Sequence, residues 1–90
     1  MAADNPEAPY DWDPIKAAAN LEKHGVPFDA VYGFDWADAI EAEDTRYDYG
    51  EVRMQVLGKI GNRYHVLVYA RRGNTMRIIS LRKANRRETP

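Results

Sequence analysis

The second half of the chain alternates apolar and polar side chains with the period of two that marks half-buried strands. "EVRMQVLGKI" (51–60), "RYHVLVYARR" (63–72) and "TMRIISLRK" (75–83) are rich in β-branched and aromatic residues, and Gly61-Asn62 and Gly73-Asn74 separate them. A Gly-Asn pair between two such runs is a strong signal for a two-residue hairpin loop. The pattern predicts three antiparallel strands in a meander. The first half reads differently. "YDWDP" (10–14) alternates aromatic and acidic residues, as a short edge strand would. Asp13 is a natural N-cap, and Pro14 suits the first helical position, where its missing N–H loses no bond. "IKAAANLEKHG" (15–25) follows as a helix, with Ile15, Ala18, Ala19 and Leu21 assigned to the core side and Gly25 as its C′ residue. "VPFDAVYGFDW" (26–36) predicts a second, shorter helix built on Phe28, Val31 and Tyr32 and weakened at Gly33. Residues 37–50 read as an extended segment and a loop, and 84–90 as a frayed turn or short helix. Residues 1–9, small, polar and proline-containing, read as a flexible arm ahead of one domain over 10–90. The fold class expected is α+β, with two N-terminal helices on one face of a small antiparallel sheet.

Pairing arithmetic assigns faces to the strands. A two-residue loop at Gly73-Asn74 sets Arg72 opposite Thr75, and with that register Tyr69 lies opposite Ile78, Leu67 opposite Ser80 and His65 opposite Arg82 on one side of the sheet. Val68 then faces Ile79, and Val66 faces Leu81, on the other. The more apolar set, Val66, Val68, Ala70, Ile79 and Leu81, is the expected core. A one-residue bulge at Gly58 would add Val52, Met54 and Val56 to that core, glycine being the usual bulge residue. The expected open face then carries Glu51, Arg53, His65, Tyr69, Arg71 and Arg82.

Charge sharpens this picture. Residues 1–45 hold eleven acids against two lysines, and residues 46–90 hold eleven bases, nine of them arginine, against three acids. The two halves cancel to a net charge of -1. Such asymmetry points to an anionic partner, or else to acidic helices that neutralise a basic sheet internally. The chain has no cysteine, hence no disulfide and no thiolate metal site. It has no apolar run near the ~20 residues a membrane span needs and no signal-peptide pattern at its start, so the expected compartment is the cytoplasm.

An exposed sheet face of Arg, His, Tyr and one Glu suits a phosphodiester, because guanidinium groups give phosphate charge-assisted bonds. RNA cleavage by the 2′-hydroxyl needs a base, cations for the charge developing on phosphorus, and an acid. Glu51 or His65 fits the base, Arg53, Arg71 and Arg82 a cationic clamp, and Tyr69 a surface against which a base rests. The plain alternative is that these arginines are solvated strand residues and Glu51 a surface ion pair. His24, in "EKHG", reads as a helix C-terminal cap. Two histidines with no cysteine offer no metal ligand set, and no phosphate-binding loop or nucleophile elbow occurs, so no cofactor is expected. Trp12 and Trp36 read as core or interface anchors.

The joint pattern of "YDWDPIKAAANLEKHGVPFDAV", "GEVRMQVLGKI" and "HVLVYARRGNTMRIISLRKANRRE" resembles the BrnT toxin family across nearly all of residues 10–88. The resemblance implies a RelE-like fold and an endoribonuclease toxin of a type II toxin–antitoxin pair that cleaves cellular RNA. It implies a BrnA-like ribbon-helix-helix antitoxin as partner, with operator DNA bound only through the complex. By that resemblance the functional positions are Glu51 and Arg53 in G-E-x-R, and Arg72, Arg77 and Arg82 in the last hairpin. Lys23 and His24 belong to the K-H-G piece, to which no role is assigned beyond contact with RNA. Ser80-Leu81-Arg82 stands where Ser-Ala-Arg is more usual. Two other readings keep the arginine face but drop the general base: a non-catalytic module that docks an antitoxin, and a repressor subunit that binds nucleic acid without cutting it.

Overall fold

The computed structural model describes residues 10–90, so the arm expected over 1–9 lies outside the described residues. Among the described residues, five strands form one mixed sheet: β1 (Tyr10–Asp11), β2 (Ile40–Glu43), β3 (Arg53–Ile60), β4 (Arg63–Arg72) and β5 (Thr75–Lys83). Their order is β1-β5-β4-β3-β2, with β1 parallel to β5 and the rest antiparallel. The meander of β3, β4 and β5 is as expected. Both hairpins turn through two residues, with Ile60 opposite Arg63 and Arg72 opposite Thr75. Gly61 and Gly73 carry φ of 63° and 62°, while no other residue type has positive φ among the described residues. Positive φ at the first turn position alone fits a type II′ turn, whose twist matches paired strands.

The helix α1 (Pro14–His24) forms where the caps predict. The Ile15 N–H donates to Asp13 Oδ1 at 2.9 Å, and the Gly25 N–H, at φ 73°, donates to the Leu21 carbonyl. Its core side is corrected, however. Ile15 is 80% exposed and Leu21 48%, and Ala18 and Ala19 face solvent. The covered line is Ala17, Asn20 and His24, at helical spacing, with Asn20 buried and the other two partly covered. The buried Asn20 takes the place of a strand: its side-chain amide donates to the Leu81 carbonyl at 2.8 Å and its oxygen accepts from the Leu81 N–H at 3.3 Å. This satisfies the edge of β5 beyond the two-residue β1, where unpaired backbone groups would otherwise be buried.

The second helix is also corrected: residues Phe28–Gly33 form a 3-10 turn. The six residues Phe28–Gly33 follow Pro27, which offers no side-chain cap, and end on a glycine, so little offsets the cost of nucleating a full α-helix. The turn still buries Phe28 and Val31 as its apolar spacing predicts, while Tyr32 is exposed. The C-terminal turn Arg86–Glu88 is a second 3-10 element, closed by a reciprocal Asn85–Glu88 capping box. No helix among the described residues is long and apolar enough to cross a membrane.

The register carries the main correction. The β3–β4 ladder runs unbroken from Ile60↔Arg63 to Arg53↔Ala70, so Gly58 is not a bulge. Gly58 lies instead against Phe34, and a Cβ there would meet a ring carbon at 2.6 Å. The irregularity falls in β5. Tyr69 pairs with Ile78 but Val68 pairs with Ser80, leaving Ile79 as the extra residue. The helix-covered core face therefore carries Val56, Leu67, Tyr69, Met76, Ile78 and Leu81, all buried. The expected faces are exchanged on β4: Val66, Val68 and Ala70 look outward from the helix, and His65, Tyr69 and Leu67 look toward it.

Candidate active site

The open face can be laid out as rows across the sheet. Ile40, Leu57, Val66 and Arg82 form one row, and Ala42, Gln55, Val68 and Ser80 the next. Arg53, Ala70 and Arg77 form the third, and Arg72 with Thr75 the last before the Gly73-Asn74 turn. Rows two positions apart along a strand are about 7 Å apart. Arg53, Arg72, Arg77 and Arg82 thus share one face. In a regular strand Arg77 and Arg82, five positions apart, would point to opposite sides; the extra residue Ile79 brings them to the same one.

Glu51, just before β3, joins this basic end. Its Oε2 lies 3.0 Å from Arg72 NH2 and 3.7 Å from Arg53 Nε. The hydrogen bond from Arg72, then its charge and that of Arg53, holds the Glu51 carboxyl below the usual carboxylate range. Arg53 lies 4.1 Å over the Tyr49 ring, and its Nε–H is buried without a hydrogen bond. The segment 44–50 sets that ring in place. Asp44 is buried, accepts two bonds from the Arg46 guanidinium at 2.9 and 2.8 Å, and accepts one from the Tyr49 hydroxyl. The Asp44 N–H donates to the Arg53 carbonyl at 2.8 Å, which ties the loop to the strand. Arg77 reaches Asp11 on β1 at 3.4 Å. Arg82, at the far corner, makes a bidentate pair with Glu88 at 2.8 Å for each bond. That pairing, with the Asn85 N–H, holds the Glu88 carboxyl down at about 2.

The remaining expected positions lie elsewhere. His65 is buried on the core face, with Nδ1 2.8 Å from the Arg63 carbonyl, to which it donates, and burial lowers its pKa. Tyr69 is buried on the same face and donates its hydroxyl to Glu41 Oε2, with Trp36 edge-on at 6.0 Å. Burial first, and then Glu41, pushes the Tyr69 hydroxyl up to about 12. Arg71 also points to the helix side, exposed, 6.0 Å from the Tyr69 ring. Lys23 and His24 line a groove between α1 and the Ile79-Ser80 bulge, off the open face. Tyr49, Asp11 and Glu88 were not singled out from the sequence. Tyr49 stands two residues before Glu51, close enough for a turn to bring it under Arg53, but the other two meet their arginines only through the fold. Among the described residues no three His, Asp or Glu side chains group as a metal ligand set would.

The sequence model of the family described as "Ribonuclease toxin, BrnT, of type II toxin-antitoxin system" matches residues 12–88. The chain belongs to the BrnT toxin family. The match takes in the whole α1–β5 framework and every residue of the open face described above. Comparison with curated proteins finds no match. Membership makes the chain a ribonuclease toxin of a type II toxin–antitoxin system, with an antitoxin as partner.

Proposed function

We propose that this BrnT toxin cuts RNA on the open sheet face, with Glu51, Arg53, Arg72 and Arg77 as its working groups, by attack of the 2′-hydroxyl on the neighbouring phosphate. The observation that carries the proposal is the sharing of one carboxylate, Glu51, between Arg53 and Arg72 on a solvent-open surface. A phosphodiester competes with Glu51 for those guanidinium groups. Once Arg72 turns to the phosphate, the bond that lowers the Glu51 pKa is lost, and the carboxylate becomes a better base. It takes the 2′-hydroxyl proton as the 2′-oxygen bonds to phosphorus. The bond from phosphorus to the 5′-oxygen breaks, and that oxygen takes a proton from water. The arginines stay charged throughout and stabilise the charge on phosphorus. The products are a 2′,3′-cyclic phosphate and a 5′-hydroxyl, and the step needs no metal. His65 and Tyr69 have structural places in this reading, and Arg71, Lys23 and His24 lie outside the reacting centre. Neutralisation by a BrnA-like ribbon-helix-helix antitoxin, operator binding through that complex, growth arrest by cleavage of cellular RNA and residence in the cytoplasm complete the proposal.

The test is cleavage of single-stranded RNA by the purified toxin in EDTA, with end-group analysis. Cyclic phosphate ends are expected, and Arg53→Ala and Arg72→Ala are each expected to slow cleavage about tenfold or more, each factor of ten being about 1.4 kcal/mol. Products with 5′-phosphate ends, a requirement for added divalent ion, or a folded Arg53→Ala variant with full activity would overturn it. The last result would favour the non-catalytic reading, in which the arginines dock an acidic partner.

A further inference from the structure

Beside the arginines the open face changes character. Ile40, Ala42, Leu57 and Val66, with Gln55 and Glu88 at the rim, line a hollow of about 270 Å³. It adjoins the cations directly: Val66 is paired with Arg82, and Gln55 is the next residue after Arg53 on the same side of β3. We propose that this hollow seats one unpaired nucleobase of the strand whose phosphates the arginines hold, a proposal that rests on the ribonuclease reading above. Three features favour that occupant. The volume is just below the ~300–1,000 Å³ of pockets for drug-sized ligands, which suits one flat ring rather than a whole nucleotide with its phosphate. Unstacked bases are held between apolar side chains and read along their edges, and Gln55 offers both an amide donor and a carbonyl acceptor, with no hydrogen bond of its own recorded in the fold. The phosphates on either side of such a base fall toward Arg53, one row beyond Gln55, and toward Arg82, at the end of the row of Ile40, Leu57 and Val66. Glu88 does not oppose them as a bare charge, because Arg82 engages both of its oxygens. An apolar side chain of a protein partner would fill the same hollow but would bring no phosphate to the arginines beside it, whose ion-pair partners among the described residues are the carboxylates of Glu51 and Glu88.

The experiment compares binding of three probes to the full chain: 2′-O-methyl oligoadenylate, 2′-O-methyl oligouridylate, and an abasic ribose-phosphate chain of the same length. The methyl group removes the nucleophile, so binding is read without cleavage. The better of the two base-bearing strands is expected to bind the wild type about tenfold more tightly than the abasic chain. Ala42→Phe, which fills the hollow from the exposed edge strand, brings that ratio to within about twofold of one, and Gln55→Leu, of similar size, narrows the difference between adenylate and uridylate. Lys16→Ala on the helix across the sheet keeps the wild-type ratio. A wild-type ratio near one overturns the base seat and leaves the hollow to a protein side chain. So does a ratio that survives Ala42→Phe with an unchanged circular dichroism spectrum. Should Ala42→Phe not fold, unaltered discrimination in Gln55→Leu overturns it as well. Cleavage of unmodified RNA, measured in parallel, reads the enzyme separately: cleavage with a ratio near one keeps the ribonuclease and removes the seat, whereas base-dependent binding without cleavage keeps the seat and removes the proposed chemistry.

Discussion

Asn20 carries three hydrogen bonds on one buried carboxamide: to the carbonyls of Leu81 and Val26 and from the Leu81 N–H. Asn20→Ala would strand all three backbone groups in the interior. A single stranded buried group costs about 1–3 kcal/mol, so a loss near the top of that range is expected in urea unfolding. Ile15→Ala, at a position 80% exposed, should change stability by less than about 0.5 kcal/mol. Apolar periodicity assigns the opposite ranking, so equal effects of the two substitutions would contradict the edge-capping role of Asn20. The same inversion explains the other residues that the sequence misplaces. His65 and Tyr69 look like an exposed polar pair, yet each meets a single partner inside, the Arg63 carbonyl and Glu41. A hydroxyl or imidazole is accommodated in a core once its hydrogen bond is made, and nothing within a few residues of Tyr69 announces Glu41.

At the scale of the element, β5 holds the device that assembles the basic face. Deleting Ile79 would restore strict alternation, so that either Arg82 turned to the core side and the buried Leu81 outward, or Arg77 turned to the core side and the buried Ile78 outward. The deletion is expected to abolish RNA cleavage and lower the melting temperature, whereas Ile79→Ala, which keeps the residue count, should retain both within a factor of a few; a fully active deletion variant would show that the bulge has no part in the face. The C-terminal turn is tied to the same strand through Glu88 and Arg82, and its acid sensitivity follows. Glu88 titrates at about 2 in the folded chain against 4.5 in the absence of a partner. A lowered folded pKa gives stability that is present above about 4.5 and fades as pH falls toward 2. The stability difference between wild type and Glu88→Gln is therefore expected to be full at neutral pH and to vanish by about pH 2; a difference that is constant with pH would place the effect elsewhere. Strands, hairpins and the α1 caps are legible in the sequence because Gly-Asn turns and the Asp13–Pro14 start act locally. The register is right from Arg72 to Tyr69 and then slips, since one extra residue leaves no mark in a run as uniform as "RIISLR". That slip is what brings Arg77 and Arg82 to one face with Arg53 and Arg72, and the family motif names all four where the pairing arithmetic reaches only Arg53 and Arg82.

For the whole molecule, the division of charge along the chain is bridged at few points. Among the described residues, Asp11 pairs with Arg77 on β5, and Asp44 pairs with Arg46 in the loop that follows β2. Most of the arginine charge on the open face is balanced by Glu51 and Glu88, the acids of the second half nearest to it. The pairing of β1 with β5 has a further consequence, one of time rather than of shape. Asp11 and Arg77 are 66 positions apart, and Asn20 and Leu81 are 61 apart. During synthesis the first strand and the helix leave the ribosome with no partner to close on, and they wait until β5 has followed. The arginines of the last hairpin arrive with that same strand. A nascent chain of this toxin therefore carries neither a finished fold nor an assembled arginine face until β5 is made.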